Sequence, residues 1–173
     1  YRGYDIKDLA EHATFEEVAY LLVYGELPTA SALRAYVAKL KRLRGLPQPV
    51  KAALELLPAS THPMDVMRTG CSVLGTVLPE RDSHPVAEAR DIADRLMASF
   101  GSMLLYWYHY SHNGRRVEVE TGDETIAAHF LHVLHGRPPS ALHARALDQS
   151  LILYAEHEFN ASTFAARVIA GTN

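Results

Sequence analysis

Apolar residues in this chain recur at helical spacing, and glycine or proline closes nearly every such run. Strand alternation is almost absent, so the pattern predicts an all-α fold of short antiparallel helices. The clearest start signal is Thr14-Phe-Glu-Glu17. In this capping box the Thr hydroxyl and the Glu carboxylate each satisfy an amide that the first helical turn leaves free. The run Val18, Leu21, Leu22 follows, and Gly25 with Pro28 stops it.

Thr29 is placed to cap a second helix through Leu33, Val37 and Leu40, closed by Gly45-Leu-Pro47. Further helices are expected over about 49–57, between His62-Pro63 and Pro79, and from near Pro85 to the Asn113-Gly114 turn. Residues 115–122 read as a polar connector whose Val117 and Val119 admit a brief strand without requiring one. Asp123 is the expected cap of the next helix, which carries Ile126, Phe130, Val133 and Leu134 to Gly136. Two more are expected, over about 141–155 and after Asn160-Ala-Ser162, the last running on to the end of the chain. No repeat or linker divides the chain, and 173 residues suffice for one sizeable core of sequentially packed neighbours.

Composition narrows the function. With 48% hydrophobic residues, 21% charged residues and a formal net charge of −3, the balance is that of a globular protein and not of a nucleic-acid binder. The basic run Lys39-Leu-Lys-Arg-Leu-Arg44 is read as the polar flank and cationic end of a helix. The lone Cys71 sits among apolar neighbours and reads as a small buried hydrophobe. A single cysteine and the lack of any membrane-length apolar run or signal peptide point to a reducing, cytoplasmic setting, or the mitochondrial matrix in a eukaryote. The chain starts without Met and stops at Asn173, so both ends are expected to be cut.

Ten histidines raise the question of a metal. His129, His132 and His135 recur at three-residue intervals, as do His109 and His112, but no Glu-x-x-His accompanies them. They are read as amphipathic histidines at helix edges, and no metal site is expected. Nucleophile elbows and phosphate loops are missing. What stands out is Tyr154-Ala-Glu-His-Glu-Phe-Asn-Ala-Ser-Thr163, a dense polar cluster after the apolar run 147–153. Such a junction suits either a capped helix-to-helix turn or the grip on an anionic small molecule.

That same cluster closely resembles the citrate synthase family, in which a helix ends in His/Tyr-x-Asp/Glu-His-Glu before an Asn-Ala-Ser-Thr turn. Tyr1-Arg-Gly-Tyr-Asp-Ile6, Phe15-Glu-Glu-Val-Ala-Tyr-Leu-Leu22, Gly25-Glu-Leu-Pro-Thr29 and His62-Pro-Met-Asp-Val-Met-Arg68 also resemble family elements. The likeness therefore spans the chain. It implies that residues 1–173 are part of the family's large helical domain, with the small CoA-binding domain absent.

The phrases around Ser60, Leu105-Tyr-Trp-Tyr-His-Tyr-Ser-His-Asn-Gly114 and Tyr154 are most similar to the 2-methylcitrate synthase branch. The resemblance implies condensation of propionyl-CoA with oxaloacetate, and no cofactor beyond the coenzyme A thioester used as substrate. By the same resemblance His157 binds oxaloacetate, Tyr154 bears on acyl-group selectivity, and Asn160 supports the site. Many citrate synthases resemble one another in placing His at the position of Tyr154. The catalytic His and Asp segments are expected downstream of Asn173, leaving none in the chain and the piece alone inactive. Arg68 and the Tyr1-Arg-Gly-Tyr4 element read as scaffold. A homodimer through helices near 141–173 is implied, with no membrane or nucleic-acid partner. Acetyl-CoA as the preferred thioester, and a metal-binding or interaction bundle, are the alternatives.

Overall fold

The structure is a computed structural model that describes residues 1–78, 86–157 and 160–172. The described residues form helices and no strand: α1 (Ile6–His12), α2 (Phe15–Tyr24), α3 (Ala30–Arg42), α4 (Gln48–Glu55), α5 (Pro63–Val77), α6 (Val86–Asn113), α7 (Ile126–His135), α8 (Ala141–Leu153) and α9 (Ala161–Ala170). Pro79, Pro85 and Asn173, read above as stops, a start and an end, lie outside the described residues. None of these helices is long and apolar enough to cross a membrane.

Local chemistry sets most of the helix ends. Thr14 and Glu17 complete the capping box at α2, and Gly25 closes that helix in the left-handed conformation at φ 98°. Thr29 accepts from Ala32 N at the start of α3, and His62 does the same for Met64 N ahead of Pro63 in α5. α9 ends at Ala170 with Gly171 as its cap.

Three expectations are corrected. α1 was not foreseen: it is a seven-residue helix capped by Asp5, and only Leu9 in it is buried, too little to produce a periodic signal. The cap of α7 is Thr125, whose side chain accepts from Ala128 N, and not Asp123. Asp123 lies two residues too early; its carboxylate accepts from Thr121 Oγ1 and from His132 Nδ1. The third concerns Arg44. It is fully buried past the end of α3, donating to the carbonyls of Thr121 and Asp123, instead of lying on a solvated flank. This pins the connector 115–122 to the core, with Val119 fully buried.

Two hydrophobic clusters meet along α6. Its later half gives Met103, Leu105, Tyr106 and Trp107 to a cluster with α4, α5 and α7, while Ala98 joins one built from α1, α2, α3 and Ile152 of α8. Beside the second cluster, in the first half of α6, Asp94 is wholly buried and accepts from the hydroxyls of Tyr36 and Tyr24 and from Lys39 Nζ. The helices do not simply pack on their sequential neighbours: α8 returns across the chain to lie on α1 and α2.

Candidate functional site at the exit of α8

Every residue assigned to the site by resemblance lies where α8 ends and α9 begins, so the anchoring of α8 decides where that link sits. Ser140 caps its start by accepting from His143 N. Arg145 then crosses the end of α1, donating to the carbonyls of Ala10, Glu11 and Ala13 at 2.7–2.8 Å. Those carbonyls belong to the last turn and cap of a helix, where intrahelical partners run out. Arg145 also pairs with the buried Asp148 at 2.9 Å, and the other oxygen of Asp148 accepts from Phe15 N at the start of α2. Gln149 adds a bond to Ala10 O. α8 is thus fixed to two helices more than a hundred residues earlier, which no local sequence signal announces.

α8 leaves its helical path at Tyr154, with φ −103° and ψ 3°. Tyr154 N still donates to Ser150 O, and Ala155 N to Ile152 O. Ile152 is buried while Leu153 is half exposed, so the chain turns from core to surface within two residues. Tyr154 stands 84% exposed. His157 is exposed as well, and so is Asn160, whose side chain accepts from Thr163 N at 2.7 Å as the cap of α9. The structure therefore brings Tyr154, His157 and Asn160 onto one short link, with no hydrogen bond among the three in the described residues. Asn160 Oδ1 is committed to the start of α9. Arg68 lies on α5 in an exposed pair with Asp65.

Of the α7 histidines, His132 and His135 keep the edge positions expected of them and His129 does not. His129 is 2% exposed, with Nε2 at 3.2 Å from Ser102 Oγ and Nδ1 at 3.0 Å from Thr121 Oγ1. Thr121 gives its own hydroxyl proton to Asp123, so it accepts from Nδ1–H and leaves Nε2 to accept from Ser102. The ring is neutral, and burial first, then the nearby Arg44, push its pKa down to about 4. Among the described residues no group of three or more His, Cys, Asp or Glu is arranged to hold a metal ion. Cys71 is half-buried, not fully buried, beside Gly75, Leu78 and Ile92.

A buried carboxyl lies nearby. Glu16 is 1% exposed; its Oε1 accepts from Ile126 N at 2.7 Å, and its Oε2 has no hydrogen-bond partner. Burial pushes its carboxyl up to about 7, against the opposing pull of the Ile126 amide.

Comparison with known proteins gives this arrangement its context. The family profile described as "Citrate synthase, C-terminal domain" matches residues 1–173, and the chain belongs to the citrate synthase family. It is 64% identical over 172 residues to the 2-methylcitrate synthase of Shewanella oneidensis, covering 99% of this chain and 45% of that protein. Among solved structures, it superposes on the citrate synthase of Pyrobaculum aerophilum with a TM-score of 0.83 at 34% identity, covering 99% of this chain and 45% of that one. The citrate synthase of Thermoplasma acidophilum, solved in a ternary complex with carboxymethyl coenzyme A and oxaloacetate, also gives 0.83, at 26% identity and with 94% and 42% covered. The chain therefore spans about half the length of the relatives it matches, 45% in the Shewanella protein.

Proposed function

We propose that this chain forms the oxaloacetate-facing part of a 2-methylcitrate synthase, which condenses propionyl-CoA with oxaloacetate and water to 2-methylcitrate and CoA. The observation that carries this reading is the 64% identity to the 2-methylcitrate synthase of Shewanella oneidensis along nearly the whole chain. The local geometry supports it. An exposed imidazole at the end of an anchored helix can donate to a carboxylate or carbonyl oxygen of the keto acid. Tyr154, three residues earlier, is exposed and open to a ligand, and its proposed role is to border the acyl group. Asn160 supports the link by fixing the start of α9. Proton abstraction and enol stabilisation are assigned to segments outside these 173 residues, and no cofactor is needed beyond the CoA thioester.

Discrimination by one methylene is worth about 1–3 kcal/mol, so acetyl-CoA remains a slower substrate. The test is steady-state CoA release by a full-length enzyme carrying this chain. Propionyl-CoA turned over with the higher kcat/KM supports the reading; a strong preference for acetyl-CoA makes the enzyme a citrate synthase.

The same reading makes the enzyme a cytoplasmic homodimer of propionate catabolism, joined through α8 and α9. None of the described residues of α9 is buried, and Phe164, Val168 and Ile169 are 61%, 52% and 69% exposed, an apolar stripe suited to a partner helix. Sedimentation of the full-length enzyme as a monomer would remove this part of the reading.

A further inference from the structure

The segment that ends α8 is held from the far end of the chain. Residues 1–4 form a tight reverse turn in which Tyr4 N donates to Tyr1 O at 2.9 Å. Both central residues have positive φ, 53° at Arg2 and 93° at Gly3, the signature of a type I′ turn. Glycine adopts that conformation freely, whereas for Arg2 it is strained and persists only where surrounding contacts impose it. Those contacts are on the two side chains of the turn. Arg2 Nη2 donates to Leu22 O, in the last turn of α2, at 3.2 Å. The Tyr1 hydroxyl donates to Ile152 O at 2.8 Å and faces Leu153 O at 3.3 Å, at the end of α8. The final carbonyls of a helix lack the full set of intrahelical partners; the turn gives one to Leu22 O and adds a second donor to Ile152 O, which also accepts from Ala155 N, so it braces two helix ends at once.

We infer that Tyr1 is a positioning residue for the oxaloacetate-binding link, acting through the last carbonyls of α8. The inference rests on the reading of His157 given above. His157 and Tyr154 are exposed, so their placement depends on where and in which direction the backbone leaves α8. The Tyr1 hydroxyl donates to Ile152 O and faces Leu153 O, the two carbonyls immediately before Tyr154, and so braces the last turn, where helices fray. The aromatic ring packs against the cluster that also contains Ile152, which fixes the hydroxyl in turn. A ligand meeting a frayed exit would have to order it on binding, and its apparent affinity would fall in proportion to the competent fraction.

The test is made in a full-length enzyme carrying this chain, with oxaloacetate KM, kcat and Tm measured for wild type and three variants. Tyr1→Phe removes only the hydroxyl and is expected to raise the oxaloacetate KM roughly five-fold, with kcat nearly unchanged. Gly3→Ala leaves Tyr1 intact but places a side chain at φ 93°, with nothing within 4 Å to obstruct it, so it perturbs the turn through the backbone alone. It is expected to shift KM in the same direction. Tyr36→Phe, which removes the bond to Asp94, is the stability reference: Tm falls and KM does not move. A Tyr1→Phe enzyme with unchanged oxaloacetate KM overturns the inference, as does an equal KM rise in Tyr36→Phe. If Tyr1→Phe does not fold, Gly3→Ala with unchanged KM overturns it instead. A wild type that shows no dependence on oxaloacetate defeats the proposed function first, and the inference with it. A wild type that saturates with oxaloacetate while Tyr1→Phe matches it defeats the inference alone.

Discussion

Two buried groups near α7 titrate in opposite senses, and separating them gives a sharp test of the packing. Glu16, ordinarily near 4.5, is pushed up to about 7 by burial. Between those values the folded chain holds a proton that the unfolded chain has lost, so Glu16 makes stability fall as pH rises from 4.5 to 7. His129, ordinarily near 6.5, is pushed down to about 4. Between those values the unfolded chain holds the extra proton, so His129 makes stability fall as pH drops from 6.5 to 4. Each slope is about 1.4 kcal/mol per pH unit, and from pH 4.5 to 6.5 the two cancel. Glu16→Gln removes one of them. Its Oε1 still accepts from Ile126 N, and the His129 slope stands alone. The difference between variant and wild-type unfolding free energies should grow with pH by about 3 kcal/mol across that window and the half unit above it. Urea unfolding followed by circular dichroism at several pH values measures this directly. Groups common to both proteins drop out of the difference. Parallel curves for Glu16→Gln and wild type between pH 4.5 and 6.5 would show that Glu16 is not buried as described.

Asp94→Ala leaves the Tyr24 and Tyr36 hydroxyls and Lys39 without their shared acceptor, and a loss of about 3–5 kcal/mol is expected in equilibrium unfolding. Gly70 lets α5 approach α6 closely: a Cβ there would lie 2.8 Å from Met103 Sδ, inside the core. Gly70→Ala should therefore cost about 1–3 kcal/mol, partly recovered when Met103 is shortened to Val in the same chain. Thr125→Ala should cost about 1 kcal/mol as the loss of the α7 cap; a neutral effect in thermal unfolding would return the cap to Asp123.

What the sequence announces is mostly local. The Thr14 box, the Thr29 cap and the Gly25 and Gly136 stops act over three or four residues, and the structure realises each of them. Thr125 and Asp123 show the limit of such signals, since both are good caps two residues apart. In the structure the Asp123 carboxylate is taken by Thr121 and by His132 on α7 itself, contacts that no local cap signal announces. Arg44 looked like one more charge in a basic run, and only its distant acceptors at Thr121 and Asp123 account for its burial. At the candidate site the residue types around His157 were legible, by resemblance to family phrases. The anchors were not: Arg145 and Asp148 carry meaning only once α8 lies against α1 and α2. Tyr1 belongs to a phrase read as scaffold, and its bond to Ile152 spans 151 residues.

His157 is the residue on which oxaloacetate binding is proposed to depend most. Calorimetric titration of oxaloacetate into a full-length enzyme carrying this chain, as wild type and as His157→Ala, tests it directly. Saturable binding in wild type that weakens roughly ten- to a hundredfold in His157→Ala, in a protein that keeps its melting temperature, is the predicted result. Equal oxaloacetate affinity in both proteins would contradict it.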